Sequence, residues 1–358
     1  MPKTPNDRPT IGDVARECGV ARMTVSRVVN GAHLVNPETA QRVREAIRRL
    51  GYVPNEAARI LKGRAPKTIG LIVPDLADTF FSICAHAVQQ LAAKHGYLTL
   101  LLASERDPAS EATERALMNS REIAGLLIVP SGPQSVVQLE EARARGLPVV
   151  MLDRTFPGLD AAEVLVENKG GAETAVQHLL EHGHRRILCL GYDGHINSIG
   201  KRIEGYEKAM NSAGLAPDLL IADLPGEIEP MLRARLAAPN RPTAIFSLNN
   251  VTTIHVLQFL ACEGIQVPGE VALIGFDDFE MAPLLRVPLT AIRQPAAELG
   301  RTAAQLLLDW IRTRKTNGLP IERTVVLPTE LVIRRSCGCT RDPSQLKESL
   351  ATKSATPQ

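Results

Sequence analysis

Four side chains near the amino terminus have the types and spacing to read DNA. Arg22, Met23, Ser26 and Arg27 stand at i, i+1, i+4 and i+5, which on a helix forms one contiguous face able to enter a major groove. A guanidinium can hold guanine O6 and N7 with two hydrogen bonds, and a thioether can lie against a thymine methyl. Val25, Val28 and Val29 supply the opposite, apolar face. Most charged helix faces are only solvated. Here a tight preceding turn and a basic surrounding segment favour nucleic acid.

A second group of polar residues follows short apolar runs: Asp75 and Asp78, Ser131, Asp153 and Arg154, Asn249 and Asn250, and Asp277 and Asp278. If the runs are parallel strands, these residues lie beyond their carboxyl ends, where open α/β sheets bind ligands. Taken singly, each acid could instead cap a helix or solvate a loop; as a group they suit a small polar molecule. Phe80, Phe81 and Phe156 are candidates for one wall. Aromatics make up only 3% of the chain, and the single Trp, Trp310, reads as core on an amphipathic helix.

Three further spacings resemble reactive motifs but depart from them. His178-x3-His182-x-His184 has metal-site spacing, yet Gly183 ends a helix there and sends His184 on another trajectory. Polar or cationic side chains at a helix carboxyl end need no metal. Cys337-Gly338-Cys339 is not the Cys-x-x-Cys of zinc ribbons or redox motifs, and no second pair lies nearby. It reads as a tail beside the last strand, with a regulatory thiol pair as the alternative. Five residues separate Gly194 from Gly200 where a P-loop has four, and Arg202 replaces its Ser/Thr. Dinucleotide and esterase motifs are also missing. No catalytic residue, metal or cofactor is expected.

The elements that must position these groups are legible. Thr10 followed by Asp13 starts a helix that stops at Cys18-Gly19. Gly19-Val20-Ala21 turns into a second helix from Arg22 to Val29, the tight connection a helix-turn-helix requires. Asn36-Pro37 opens a third helix, ending near Gly51. From Lys67 onward apolar runs (68–73, 97–102, 124–129, 148–152, 186–190, 244–248 and 271–276) alternate with helical patterns such as 80–95, 168–182, 203–213 and 249–263. That alternation predicts doubly wound parallel sheets. About eleven strands exceed one such sheet, so two lobes follow.

Charge divides the chain in the same way. The net is +2 over 358 residues, but residues 1–65 carry +6 and the remainder −4. A basic head on an acidic body points to nucleic acid for the head and another partner for the body. No apolar stretch is long enough to span a membrane, and residues 1–8 do not read as a signal peptide. Six scattered cysteines fit a reduced cytoplasmic protein rather than a disulfide framework. The expected layout is a multi-domain chain. An all-α helix-turn-helix head spans 1–54, a hinge helix 55–65, an α/β two-lobed body 66–340 and a disordered tail 341–358. Lobe one takes about 66–160 and 291–322, and lobe two about 161–290 and 323–340. Asp160-Ala161-Ala162 is the expected first crossing, with returns near Leu289–Gln294 and Glu322–Pro328.

Thr10–Ala15, Val20–Asn30 and the run from Gly51-Tyr52-Val53-Pro54-Asn55 to Ala57-Ala58-Arg59-Ile60-Leu61 resemble the DNA-binding head and hinge of the LacI/GalR repressors. The resemblance extends to about residue 339 and implies a periplasmic-binding-protein-like effector domain. It makes Arg22, Met23 and Arg27 the operator-selecting residues, with Thr10, Thr24, Ser26 and Asn30 as candidates on the DNA backbone. Asn55, Ala58, Arg59 and Leu61 become the hinge residues at the minor groove, where an apolar Leu61 could wedge a kinked step. Residues 55–62 are too few for a helix stable by itself.

In the body, the family's effector-contacting arginine matches Arg202, in Gly200-Lys201-Arg202-Ile203-Glu204-Gly205-Tyr206. Asp75, Asp78, Phe80, Phe81, Ser131, Asp153, Arg154, Asn250 and Asp277 complete the candidate effector set. Two departures stand out. After Val73-Pro74-Asp75 the family usually reads Asn-Pro-Phe-Phe, where this chain has Asp78-Thr79-Phe80-Phe81; and Asn250 occupies a slot where many members have Asp. The implied function is a homodimeric repressor that binds a pseudo-palindromic operator under control of a small, sugar-like effector. A transporter's solute-binding protein or a metabolite-processing enzyme would share the body but not the basic head.

Overall fold

The computed structural model describes residues 9–29, 35–52, 66–105, 107–120, 123–132, 134–156, 161–194, 196–313 and 324–339. Asn30, the hinge candidates Asn55, Ala58, Arg59 and Leu61, and the expected tail at 341–358 lie outside the described residues. The chain divides into two compact units, residues 1–66 and 67–358.

In the first unit, α1 (Ile11–Cys18), α2 (Arg22–Val29) and α3 (Pro37–Leu50) follow their end signals. The Thr10 backbone N–H and hydroxyl both donate to Asp13 Oδ2, at 2.8 and 2.7 Å. Gly19 and Gly51 close α1 and α3 at φ of 63° and 62°, conformations in which any Cβ would be strained. Asn36 Oδ1 accepts from Glu38 N ahead of Pro37. Val14, Val25 and Val43 are fully buried at the centre of the three helices.

The second unit holds two six-stranded sheets. The first has the order β11 (Thr324–Leu327), β5 (Ala162–Val166), β4 (Val149–Leu152), β3 (Leu126–Ile128), β1 (Thr68–Val73) and β2 (Leu98–Ala103), all parallel. The second has the order β12 (Glu330–Val332), β10 (Thr290–Arg293), β9 (Ala272–Phe276), β8 (Ala244–Ser247), β6 (Ile187–Tyr192) and β7 (Asp218–Ala222). Only the β10–β12 pairing in it is antiparallel. Central strands such as β6, β8 and β9 are buried throughout, because helices cover both faces of a parallel sheet.

The helices are α4 (Thr79–Lys94), α5 (Pro108–Ser120), α6 (Gln134–Ala144), α7 (Asn168–Glu181), α8 (Asn197–Ser212), α9 (Ile228–Ala237), α10 (Asn250–Cys262) and α11 (Ala296–Thr313). One close approach matters for the site. A Cβ on Gly205 of α8 would sit 2.2 Å from the Lys169 carbonyl oxygen of α7, so only glycine lets these helices pack this tightly.

The sheets move the expected lobe borders. Ala162–Val166 is a strand of the first sheet, so the first crossing follows Val166 rather than spanning 160–162. Thr290–Arg293 belongs to the second sheet, α11 packs in the core of the first, and Thr324–Leu327 returns to the edge of the first sheet. Twelve strands are present among the described residues. The expected count is about eleven; strands outside the seven apolar runs, such as β7, β11 and β12, are short and part-exposed, so they stand out only once a partner strand pairs with them.

Candidate functional site

In the first unit, α2 presents the predicted face. Arg22 and Arg27 are exposed and Met23 is 64% exposed, while Val25 is buried and Thr24 and Ser26 are half-buried. Three other arginines of the unit are tied down. Arg16 pairs with Asp13 at 3.2 Å, and Arg42 donates to the Cys18 carbonyl at 2.6 Å. Arg49 meets Glu17 at 2.5 Å. Arg22 and Arg27 make no ion pair among the described residues, so their guanidinium groups are available to a partner. The Thr10 hydroxyl is engaged with Asp13 in the start of α1.

In the second unit a narrow polar cleft of about 40 Å³ opens between the lobes. Of the candidates, Asp78, Phe80, Phe81, Asp153, Arg154, Arg202, Asn250 and Asp277 line it. Asp153 follows β4 and Asp277 follows β9, and these strands hold equivalent places in the two sheets. Each Asp backbone N–H reaches the neighbouring strand, Asp153 to Val164 O and Asp277 to Ile292 O, both at 3.0 Å. Each also has positive φ, 65° and 79°, a conformation Asp tolerates better than most side chains but which the surroundings must hold. The two lobes therefore contribute matching carboxylates from matching turns.

Arg202 is the most constrained cation in the cleft. It lies in the second turn of α8 rather than at its start, because α8 begins at Asn197. Nε donates to Asn168 Oδ1 at 2.8 Å and Nη1 to the Leu248 carbonyl at 2.6 Å. Nη1 is also 3.7 Å from Asp277 Oδ2, and the guanidinium lies 3.7 Å over the Phe276 ring. Burial pushes its pKa below the ordinary arginine value, with Asp277, Asp153 and Asp78 opposing that shift. Arg154 donates to Asp153 at 3.3 Å. Both cleft arginines are thus matched to carboxylates.

Some expectations fail here. Asp75 and Ser131 do not line the cleft. Asp75 Oδ1 accepts from Ala77 N at 2.8 Å in a local turn. Ser131 is drawn into a buried network, its N–H donating to Glu111 at 2.6 Å and its hydroxyl 2.8 Å from that of Ser104. Phe156 is not a lining residue either, whereas Tyr192, Ile196, Ser198, Ile199, Asn249 and Gln294 are. Gln294 donates to Asp277 Oδ1 while its buried Oε1 has no partner. Its only signal in sequence was its place just after a strand, at a crossing between lobes. The His178/His182 and Cys337/Cys339 motifs, far apart in sequence, come together in space.

Residues 10–55 match the family described as bacterial regulatory proteins, lacI family, and residues 176–337 match a periplasmic binding protein-like domain. The HTH-type transcriptional regulator DegA of Bacillus subtilis (strain 168) is 31% identical over 337 residues, covering 91% of this chain and 97% of DegA. Among solved structures, the lac repressor dimer bound to operator and the anti-inducer ONPF superposes with a TM-score of 0.82 at 26% identity, covering 92% of this chain and 99% of that one. A transcriptional regulator CelR–cellobiose complex gives 0.67 at 28% identity, covering 92% and 100%.

Proposed function

The chain belongs to the lacI family of bacterial regulatory proteins, and from that membership we propose that it is a sequence-specific DNA-binding repressor controlled by a small effector. In this reading Arg22, Met23 and Arg27 of α2 read base edges, and Thr24 and Ser26 hold the phosphate backbone. Two copies of the chain place two heads on a pseudo-palindromic operator. The effector acts by its differential affinity for the lobe arrangements that do and do not permit both heads to engage.

The carrying observation for the effector is the charge pairing in the cleft. Arg154 and Arg202 are already matched to Asp153 and Asp277, which leaves no unbalanced cation for an anionic ligand. Carboxylates, amides and guanidinium donors around a half-buried Phe80 suit a neutral, hydroxyl-rich molecule. A carbohydrate or related metabolite meets that description, bound and released without turnover.

Sequence selection on random duplex DNA, repeated with neutral sugars, nucleosides and organic acids, tests both halves. The expected result is a palindromic site whose occupancy changes with a neutral polyol. Consumption of a ligand without operator binding would overturn the reading.

A further inference from the structure

The carboxyl end of α7 and the segment after β12 bring four metal-binding side chains together. His178 and His182 are neighbours one turn apart on α7, with ring centroids 4.4 Å apart. Cys337 and Cys339 flank Gly338, whose φ of 91° makes the turn between them. His178 Nε2 lies 3.3 Å from both Cys337 Sγ and Cys339 Sγ, and His182 Nε2 lies 2.9 Å from Cys339 Sγ. The ligand atoms of His178, His182 and Cys339 are all within 4.8 Å of one another.

The surrounding contacts prepare these groups. His182 Nδ1 is 2.8 Å from the His178 carbonyl oxygen. A carbonyl only accepts, so Nδ1 carries the proton and Nε2 presents its lone pair toward Cys339. Metal-binding imidazoles are commonly oriented by such a carbonyl. The Thr290 hydroxyl donates to Cys337 Sγ at 3.2 Å. His184, the third histidine of the run, turns away to Thr243 Oγ1 at 3.0 Å. Cys337 and His178 are buried, Cys339 is half-buried and His182 is exposed, so an ion can reach the cluster from solvent.

We propose that His178, His182, Cys337 and Cys339 form a tetrahedral site for zinc or a divalent ion of similar softness, fastening the carboxyl-terminal segment to α7. Bonds of about 2.3 Å to sulfur and about 2.0 Å to nitrogen set each N–S pair about 3.5 Å apart. The three observed N–S contacts of 2.9 and 3.3 Å need only open slightly, while Cys337, outside the group within 4.8 Å, must swing closer to complete the set. Each thiol releases its proton to solvent as it binds.

Full-length protein, reduced and stripped with chelator, is titrated with Co²⁺. Stoichiometric binding is expected, with a thiolate-to-cobalt charge-transfer band and the intense visible bands of a tetrahedral ion, both lost on adding Zn²⁺. Cys339→Ser and His182→Gln alter accessible positions, and unchanged circular dichroism will establish that they fold. Each is expected to weaken binding by more than the ~100-fold that loss of a ligand's outer partner can cost. Cys262→Ser, at an exposed cysteine elsewhere, and His184→Gln should titrate as wild type. Cobalt spectra without charge transfer would overturn the site. So would ligand variants that titrate as wild type, or a reduced protein that binds nothing while its oxidised form carries a Cys337–Cys339 disulfide.

Discussion

Asn250 Nδ2 donates to Asp78 Oδ1 at 3.0 Å across the cleft, joining the amino-terminal ends of α10 and α4 from opposite lobes. Each belongs to one of the two places at which the sequence departs from the LacI/GalR pattern. The departures are reciprocal: an acid stands at 78 where the family usually has an amide, and an amide at 250 where many members have an acid. One donor and one acceptor therefore still face each other. The same Asp78 oxygen accepts from Phe80 N at the start of α4, and Asn250 N donates to Asp277 at 3.2 Å. The bond thus ties the interlobe contact to residues of the cleft itself.

Asn250→Asp sets a second carboxylate against Asp78 and is expected to cost about 1–3 kcal/mol, the scale of a hydrogen bond to a charged group. Asp78→Asn combined with Asn250→Asp should recover most of that loss. Urea unfolding of wild type, both single variants and the double variant gives the coupling energy. Strictly additive losses would show that the two side chains do not interact in solution.

Arg22→Ala and Arg27→Ala should each weaken operator binding by about 1–3 kcal/mol and relax sequence choice at one position per half-site. Binding to a panel of single-substitution operators measures this. Affinity should fall steeply with salt, given the +6 of residues 1–65. If the arginines touch only phosphate, the loss will be uniform and the salt slope will fall by about 1 for each.

Arg202→Ala removes a buried cation that holds Asn168, the Leu248 carbonyl and Asp277. The expected cost is about 3–5 kcal/mol, because buried partners lose their charge match. Arg202→Lys should recover only part of it, lacking the planar fork. Denaturant midpoints decide the matter: near-wild-type stability for Arg202→Ala would show that solvent readily replaces the guanidinium.

Asp278 accepts from Arg334 at 2.7 and 2.9 Å and from Arg293 at 3.0 and 2.7 Å. Burial raises its pKa, but hydrogen bonds from these arginines outweigh it and hold the carboxyl below its ordinary 3.8. A depressed folded value stabilises fully above the unfolded one and is lost as pH falls through the folded one. Wild type should therefore lose stability with a steeper slope below 3.8 than Asp278→Asn, which starts less stable at neutral pH. Equal slopes in acid unfolding curves would remove Asp278 from the linkage.

Much of the molecule was readable before folding. Capping signals at Thr10, Asp13, Gly19 and Asn36 act within a few residues, so the helices of the first unit follow from local chemistry. Apolar runs buried on both faces announced β1, β6, β8 and β9 in the same way. Ser131 misled because its position after a strand is visible in sequence, whereas the Glu111 carboxylate that captures its N–H is not.

The sequence by itself determined the local conformations, the division of charge between head and body, and most of the polar groups at strand ends. Tertiary structure alone decided which strand ends meet. It placed Gln294 in the cleft, matched Asn250 to Asp78, and brought Cys339 against His178 and His182, 161 and 157 residues away. The physical reason is range. Caps and periodicity arise from neighbours along the chain, while sheet pairing and lobe crossings join groups whose separation leaves no local trace.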